Sequence, residues 1–382
     1  MIRDVAIAGA GPVGATLALF LADAEVDLAI VDARHEGDAA RDRALALSHG
    51  ARLIFERIGI WTALAAQAGA VTPIARIDVS QAGGFGGVRL DAAEQGVPAL
   101  GYVVSYRALS RVLDDALKHA GIAVGFGTRV RGVAAAGDAA AFELEEGPPL
   151  RARLGVVADG AGTPIASIAR RRHDYAQCAV VGEVWLDHEH GGVAHERFTA
   201  EGPVALLPER DHYALVWTCR PDEAARLLHL PEEAFLRELS GHFGARVRRF
   251  MRVAERRSFP LALDVARSPT RPHLVVIGNA AQALHPIAGQ GFNLGLRDAY
   301  DLARTIVDTP RAELGEAAML ARYRRRRALD RRAGIAFTHG LVQLFGNDLP
   351  WLRVPRGLGM MALDTLPFAK RAFARAMLYG LR

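Results

Sequence analysis

The feature that most constrains the fold is a glycine-rich turn between an apolar strand and an apolar helix near the N-terminus. Residues 5–8 predict a buried strand, residues 9–14 match the pattern G-x-G-x-x-G, and residues 15–22 have the apolar spacing of a helix. A second apolar strand, 27–31, ends at Asp32. This order of elements predicts a Rossmann-like α/β fold, in which the turn faces a pyrophosphate and the acid faces a ribose diol.

A second glycine-rich segment spans residues 278–298. It follows an apolar run, 274–277, that predicts another buried strand, and it leads into a segment with helical apolar spacing. Gly289 and Gly291 allow the backbone to approach a flat ligand closely. The helix that is predicted to begin near Phe292 would direct its free N–H groups at that ligand, where they would stabilise electron-rich oxygens.

Together these segments resemble the flavin motifs of the FAD-dependent aromatic hydroxylases of ubiquinone biosynthesis, the UbiH and COQ6 family. That family belongs to the group A flavoprotein monooxygenases, which share the fold of para-hydroxybenzoate hydroxylase. The specific motifs lie in four places, namely 9–14, Arg43, 159–160 and 278–298. The last of these, in which His285 precedes Pro286, is most similar to the 2-polyprenyl-6-methoxyphenol hydroxylases, the UbiH branch.

The chain departs from the family pattern at two points. Most relatives have Gly-Asp where this chain has Gly278 and Asn279, although an asparagine can still hydrogen-bond a ribityl hydroxyl. After Asp159-Gly160, relatives usually have Ala-Arg-Ser-x-x-Arg, whereas residues 161–166 contain no arginine. The resemblance implies NAD(P)H or another electron donor as the reductant, but it assigns no residue to that donor.

The resemblance implies an architecture for nearly the whole chain. An FAD-binding domain comprises 1–70, 100–175 and 269–330; an inserted antiparallel-sheet substrate domain comprises 71–99 and 176–268; and 331–382 form a C-terminal helical region. Within the substrate domain, Pro208 and Trp217 are candidates for lining the active site. The glycine run 83–87 has no helix pattern after it, so it predicts a hairpin rather than a phosphate loop.

The resemblance also implies a set of site residues. Those expected to contact FAD are Gly9, Gly11, Pro12, Gly14, Asp32, Ala33, Arg43, Arg107, Asp159, Gly160, Asn279, Pro286, Gly289, Gln290, Gly291, Phe292 and Asn293. His285 and Pro286 are the expected catalytic residues. Two alternatives stay open, because His285 could instead be a structural hydrogen-bonding residue and Arg43 could be a surface charge paired with Asp42.

The activity that the resemblance implies is hydroxylation of the ring of a polyprenylated phenol in ubiquinone biosynthesis, through a flavin C4a-hydroperoxide, with 2-polyprenyl-6-methoxyphenol as the substrate. One alternative is another ring position or a soluble aromatic substrate. An alternative of another class is a flavin-binding scaffold subunit of a biosynthetic complex. A flavin halogenase is disfavoured because the motif Trp-x-Trp-x-Ile-Pro is absent.

Composition favours a globular enzyme without a metal. The chain has 382 residues, of which 51% are hydrophobic, and its two cysteines, Cys178 and Cys219, are too few for a disulfide framework and indicate a reducing cytoplasm. No Cys/His cluster has zinc spacing. The formal charge is +5, but no nucleic-acid-binding motif accompanies it, and the arginine-rich run 322–327 is interpreted as a solvated helix face, with contact to anionic lipid or a partner as the alternative.

The C-terminal segment from Leu366 onward predicts an amphipathic helix. Its apolar stripe is flanked by basic residues, so the helix either lies in an anionic membrane interface or packs on the protein's own core. The glycines of the N-terminal apolar stretch exclude a continuous membrane-spanning helix there. We therefore expect a cytoplasmic protein, peripheral on the inner face of the membrane, whose partners include other quinone-biosynthesis proteins.

Overall fold

The computed structural model describes residues 2–38, 42–160 and 163–381. Its strands are β1 (Ile2–Ala8), β2 (Leu28–Val31), β3 (Ala44–Ser48), β4 (Val71–Ile74), β5 (Arg76–Gln81), β6 (Gly87–Asp91), β7 (Gly101–Ser105), β8 (Val124–Gly125), β9 (Val130–Ala136), β10 (Ala139–Leu144), β11 (Leu150–Val157), β12 (Arg170–Leu186), β13 (Val193–Thr199), β14 (Gly202–Glu209), β15 (His212–Cys219), β16 (Phe250–Ala266), β17 (Thr270–Arg271), β18 (Leu274–Val276) and β19 (Gln282–Ala283). Its α-helices are α1 (Pro12–Phe20), α2 (His49–Arg57), α3 (Trp61–Ala65), α4 (Tyr106–His119), α5 (Pro221–His229), α6 (Glu232–Phe243), α7 (Gln290–Val307), α8 (Ala317–Phe345), α9 (Pro350–Thr365) and α10 (Pro367–Tyr379).

The first sheet has a parallel centre in the order β18-β11-β1-β2-β8. Strand β1 is buried and apolar from Val5 to Ala8, as expected for a parallel strand that is covered on both faces. Helices α1, α4 and α7 pack together on this sheet and bury the largest apolar cluster of the chain. The Rossmann-like fold predicted from the N-terminal strand and turn is confirmed.

The second sheet has the order β19-β16-β12-β15-β14-β13-β5-β6. Its pairs are antiparallel except β5 with β13, which is parallel. Strands β5 and β6 form the hairpin predicted around the glycine run 83–87. The domain boundaries stay a prediction; the pairing places residues 170–175, which the sequence assigned to the FAD-binding domain, in this second sheet.

A small third sheet, β3-β7-β4, was not predicted. Strand β3 pairs with β7 and also lies against the start of α7. It therefore brings residues 44–48 close to the second glycine-rich segment.

The arginine-rich part of α8 is not simply a solvated face, so that interpretation is wrong for Arg327. This side chain is only 3% exposed and lies among three carboxylates, those of Asp298 and Asp301 on α7 and of Asp330 on α8. Arg297 joins the same network through a 2.8 Å contact with Asp330. The network fastens α7, and with it the second glycine-rich segment, to α8.

The C-terminal helix α10 packs on the protein, which supports the second interpretation of its apolar stripe. Ala374 and Leu378 are buried, and the ring of Tyr379 meets that of His49 edge-on at 5.7 Å. The backbone N–H of Leu381 donates to Asp330 at 3.0 Å, while Phe368 at the helix start is 75% exposed. Within the described ranges, the search for helices long and apolar enough to cross a bilayer finds none.

Candidate active site

A cavity of about 1300 Å³ lies where the carboxyl ends of the parallel strands β1, β2, β11 and β18 meet the second sheet and the C-terminal helices. Open α/β sheets bind their ligands at this edge. Most of the residues predicted to contact FAD line it, namely Gly9, Gly11, Pro12, Asp32, Ala33, Arg43, Asp159, Gly160, Asn279, Pro286, Gly289, Gly291 and Phe292, together with His285. Gly14, Arg107, Gln290 and Asn293 do not line it.

The three motif glycines of the first turn have different surroundings. Gly9 has φ +102°, and a Cβ there would lie 2.7 Å from the backbone of Asp159. A Cβ on Gly14 would lie 1.9 Å from the carbonyl oxygen of Gly9, so this residue allows α1 to pack on the turn. A Cβ on Gly11 would meet no protein atom within 4 Å, because it would point into the cavity. The open space beside Gly11 allows the backbone to approach a pyrophosphate closely.

The acid that ends β2 holds the turn in place. One carboxylate oxygen of Asp32 accepts a hydrogen bond from the backbone N–H of Ala10 at 2.6 Å, and the other accepts from that of Arg34 at 2.8 Å. The N-terminus of α1 has no side-chain cap and therefore keeps backbone N–H groups free for an anion. The guanidinium of Arg34 lines the cavity and pairs with Asp114; sequence reasoning missed it.

Within the described residues the guanidinium of Arg43 makes no ion pair with Asp42, although the backbone N–H of Arg43 donates to that carboxylate at 3.0 Å. Its guanidinium stacks over the ring of Tyr106 at 4.3 Å, whereas the carboxylate of Asp42 accepts from the hydroxyl of Ser105 and lies 3.6 Å from Arg210. The surface-pair alternative is thus wrong, and Arg43 is left at the cavity wall. Arg107 lies on the exposed first turn of α4.

The loop before α7 has a backbone that keeps the helix N-terminus open. Ala288 and Gly289 both have positive φ, 56° and 59°, and no side chain caps the first turn of α7. The free N–H groups of that turn lie beside the cavity-lining Gly291 and Phe292. A positive φ at a non-glycine residue such as Ala288 is strained and typical of a functional loop.

Asn293 and Gln290 brace this loop instead of facing the cavity. The side chain of Asn293 accepts from the N–H of Ser48 at 2.8 Å and donates to the carbonyls of Ala46 and Gly289 at 3.1 and 2.7 Å. The amide of Gln290 donates to the carbonyl of Ala288. Both residues are predicted to contact the cofactor because they lie at the start of α7. The sequence does not show which side of that helix start faces the ligand.

His285 is 1% exposed and lines the cavity. Its Nδ1 accepts a hydrogen bond from the backbone N–H of Ile287 at 3.2 Å, so the neutral ring carries its proton on Nε2. Desolvation lowers the pKa of His285 to about 4, which keeps the ring neutral at physiological pH. Within the described part of the chain, Nε2 has no hydrogen-bond partner. His285 therefore carries a buried N–H donor that has no partner within the described residues, in a residue that lines the cavity.

One face of the second sheet forms an apolar wall of the cavity. Val216 and Thr218 on β15 line it, whereas Trp217 points to the opposite side and packs on Phe235 of α6. The candidate roles of Pro208 and Trp217 in lining the site are therefore wrong, since a strand's side chains alternate between faces and the sequence does not identify the inner one. Within the wall stands one carboxyl group, that of Glu196 on β13, which sequence reasoning missed.

Helices α8, α9 and α10 supply the opposite wall. Its lining side chains are mostly apolar and include Phe337, Leu341, Phe345, Leu352, Met360, Leu363, Phe373 and Met377. Arg356 of α9 also lines the cavity; its two terminal nitrogens donate to Asn347, and its Nε has no hydrogen-bond partner within the described residues. Within the described ranges, no group of three or more His, Cys, Asp or Glu side chains could hold a metal ion.

A sequence model described as an FAD binding domain matches residues 3–337 of this chain. The chain belongs to this FAD-binding family. It is 34% identical to the ubiquinone hydroxylase UbiL of Rhodospirillum rubrum, over 98% of this chain and 89% of that protein. It is 31% identical to the 3-demethoxyubiquinol 3-hydroxylase of Escherichia coli, over 99% of this chain and 98% of that one.

Solved structures show the same fold. The p-nitrophenol 4-monooxygenase PnpA from Pseudomonas putida superposes with a TM-score of 0.75 at 17% identity, covering 100% of this chain and 99% of that one. PqsL from Pseudomonas aeruginosa superposes with a TM-score of 0.74 at 23% identity, over 94% and 99% of the two chains. The family and the fold class predicted from the flavin motifs are confirmed, and so is FAD as the cofactor.

Proposed function

We propose that this FAD-binding protein hydroxylates the ring of a polyprenylated phenol in ubiquinone biosynthesis. The observation that supports this most directly is one continuous cavity with two chemically different ends. Glycine turns and free helix N–H groups surround the end at the parallel strands, as a dinucleotide requires. Apolar side chains from the second sheet and α8 to α10 surround the other end, as a lipophilic aromatic ring requires.

The described residues fit FAD. The open space beside Gly11 and the uncapped start of α1 would hold the pyrophosphate, and Asp32 would hold a ribose diol. The uncapped start of α7, with Pro286, Gly291 and the residues between them, would border the flavin ring. When bound, FAD supplies two-electron redox chemistry and activates dioxygen, with NAD(P)H or another donor as the reductant.

His285 would position oxygen atoms in this site. Its neutral ring carries a proton on Nε2 that has no partner within the described residues, and because its pKa is lowered to about 4 it stays a donor over the physiological pH range. The natural acceptor is an oxygen of the substrate or of the flavin ring. This role assigns His285 to the catalytic residues, as the family resemblance implies.

The proposed substrate is 2-polyprenyl-6-methoxyphenol. A second candidate, 3-demethoxyubiquinol, is favoured by the 31% identity to a relative named as its 3-hydroxylase. Both molecules have a ring hydroxyl and a long isoprenoid tail, so both suit a cavity with an apolar wall. They differ in the ring carbon that receives oxygen, which is the property to measure.

We further propose that α9 contacts the membrane from which the substrate comes. Its inner face lines the cavity through Leu352, Met360 and Leu363. Its outer face exposes large apolar side chains at helical spacing, namely Trp351 at 69%, Val354 at 55%, Leu358 at 50% and Met361 at 46%. A helix that is apolar on both faces is suited to lie between a protein cavity and a bilayer.

The function is tested with the purified FAD-loaded protein, a reductant, and short-tailed forms of both candidate substrates. We expect consumption of one dioxygen per hydroxylated product, and mass spectrometry with ¹⁸O₂ would locate the new oxygen on the ring. A quinone-deficient strain complemented with the gene would give the same answer from its accumulated precursors. A protein that binds FAD but hydroxylates neither phenol would instead support the scaffold alternative.

A further inference from the structure

The apolar sheet wall of the cavity contains one carboxyl group with no partner. Strand β13 directs Ala194, Glu196 and Phe198 to the cavity, and in the sheet register Glu196 stands between Val79 of β5 and Ala205 of β14. Within residues 2–38, 42–160 and 163–381, its carboxylate makes neither a hydrogen bond nor an ion pair. Its side chain is partly accessible from the cavity, and a carboxyl group held in an apolar wall without a partner costs stability, so its presence requires an explanation beyond packing.

The neighbours of Glu196 along β13 place it near the proposed flavin site. Ala194, two residues before it, belongs to an apolar cluster with Ile74 and Val103, against which Ala44 at the start of β3 packs. Phe198, two residues after it, belongs to the cluster of Ile287, in the loop before α7. Glu196 therefore faces the part of the cavity between β3 and that loop.

In the part of the chain that the structure describes, no charged group neutralises Glu196. On its own strand, His195 is kept neutral because burial lowers its pKa, and the Nε of Arg197 donates to the carbonyl of His242. On β5 the nearest charge, that of Asp78, pairs with Arg76 and Arg89.

The residues of β14 that adjoin Glu196 are apolar. Across the cavity, His285 in the loop before α7 is neutral, and the guanidinium of Arg356 on α9 donates to Asn347. Desolvation alone raises the pKa of Glu196 to about 7. A carboxyl group in this state exchanges a proton easily at neutral pH, as a general base must.

We propose that Glu196 is a catalytic base that takes the proton of the substrate's ring hydroxyl. The O–H bond breaks, its electron pair stays on the ring oxygen, and the resulting phenolate makes the ortho and para carbons more nucleophilic. The newly hydroxylated carbon then loses its hydrogen as a proton to solvent, its bonding electrons return to the ring, and Glu196 gives its proton back to the ring oxygen, which regenerates the carboxylate. The inference rests on the proposed function, because it requires a phenol as the substrate.

The direct test is Glu196→Gln, which keeps the shape of the side chain but removes its basicity, with the exposed Glu233→Gln as the matched control. With a short-tailed 2-methoxyphenol, we expect kcat/KM to fall by about 10²–10⁴-fold in Glu196→Gln and to stay unchanged in the control. In the wild type the rate should rise with pH through about 7, and this rise should vanish in the variant. A more acidic, fluorinated phenol should recover much of the lost rate, because it ionises without a base.

A second readout does not depend on turnover. A 4-nitrophenol with a 2-methoxy group is blocked at the para position, and its visible absorbance reports the phenolate. This acidic probe also ionises without a base, so the readout is the pH at which the bound probe becomes phenolate. That pH should be higher in Glu196→Gln than in the wild type, because the variant has no carboxylate to take the proton. FAD content and circular dichroism show whether the variant is folded, and formate should rescue Glu196→Ala if the first variant is not.

The outcomes separate the two proposals. If the wild type hydroxylates phenols and Glu196→Gln matches it in rate, pH profile and bound-phenolate absorbance, then Glu196 is not the base and the proposed function stands. If the wild type hydroxylates no phenol, the proposed function fails and the role of Glu196 fails with it.

Discussion

The three motif glycines of the N-terminal turn are required for different reasons, which makes them a matched set of test positions. Gly14 is required by the protein, because a Cβ there would lie 1.9 Å from a backbone oxygen. Gly11 is required only by the ligand, since its Cβ would meet no protein atom within 4 Å. We therefore expect Gly11→Val to fold normally but to lose at least about 100-fold in FAD affinity, a loss of about 2.7 kcal/mol.

Gly14→Val is the contrasting variant, and it should be destabilised by about 1–3 kcal/mol or more because of overpacking. Urea unfolding of both FAD-free variants, together with FAD titration by fluorescence, distinguishes the two effects. A yellow Gly11→Val protein with unchanged FAD affinity would show that the pyrophosphate lies elsewhere.

Glu196 and His285 should give the FAD-free protein opposite dependences of stability on pH. The folded state raises the pKa of Glu196 from 4.5 to about 7, so it binds the proton more tightly than the unfolded chain does, and stability falls as the pH rises from 4.5 to 7. The folded state lowers the pKa of His285 from 6.5 to about 4, so stability falls as the pH drops from 6.5 to 4.

Urea unfolding of Glu196→Gln and His285→Gln at pH 5 and pH 8 tests these two signs. Relative to the wild type, Glu196→Gln should be more stable at pH 8 than at pH 5, by at most about 3 kcal/mol. His285→Gln should show its relative gain at pH 5. Parallel stability curves for the wild type and Glu196→Gln would mean that the carboxyl group is solvated in the folded protein.

At the scale of elements, the buried network between α7 and α8 holds the second glycine-rich segment in place. Arg327 contacts Asp298 at 2.7 Å, and the same carboxylate accepts from the backbone N–H of Gly278 at 3.2 Å. Arg327→Met would leave the two buried carboxylates of Asp298 and Asp330, and the partly buried one of Asp301, without this partner. We expect it to lower the free energy of unfolding by about 3–5 kcal/mol and to weaken FAD binding.

The neighbouring Arg325→Met is the control for Arg327→Met, because Arg325 is exposed on the same helix, and its effect should stay within about 0.5 kcal/mol. Unfolding curves and FAD titrations give both quantities. Equal midpoints for the two variants would show that the network contributes no net stability.

The outer face of α9 is the element that should determine how the enzyme handles long-tailed substrates. Replacing Trp351, Leu358 and Met361 by serine removes large apolar side chains that are 46–69% exposed. We expect binding to anionic liposomes to fall at least about tenfold, since each buried apolar side chain contributes about 1.5–3 kcal/mol. Turnover of long-tailed phenols should fall with it, while short-tailed phenols should react normally.

The control for α9 replaces Val307 and Leu329, both 57% exposed and outside α9, by serine. This variant should bind liposomes like the wild type. If the α9 variant also binds normally, the membrane contact lies on another surface.

At the scale of the whole molecule, the sequence predicted features whose signals are local. Each glycine-rich segment was identified by a strand, a glycine turn and a helix that follow one another within about twenty residues, and these two segments indicated the fold. The signal is local because consecutive residues determine the backbone conformations that the turn needs. The sequence did not predict which face of a longer element turns inward. It selected Trp217 where Val216 and Thr218 line the cavity, and it treated Arg327 as solvated although the side chain is buried.

The side chains of a strand or helix that turn inward are determined by packing partners that lie far away in the chain. Glu196 faces the cavity because β13 pairs with β5 and β14 in one particular register, and a shift by one residue would turn it outward. Arg327 is buried because three aspartates on two helices converge on it. Periodicity alone contains neither fact.

FAD should therefore stabilise the arrangement in which three separate segments of the chain lie together. The cavity is built from 9–14, 43–46 and 278–292, which approach each other only in the folded protein. Adding FAD to the FAD-free protein should slow amide hydrogen exchange in all three segments together, because the ligand stabilises only states in which they are assembled. Exchange should change little in α5 and α6, whose buried side chains pack on the far side of the second sheet. Protection confined to 9–14 would show that the second glycine-rich segment does not contact the cofactor, and it would overturn the site described above.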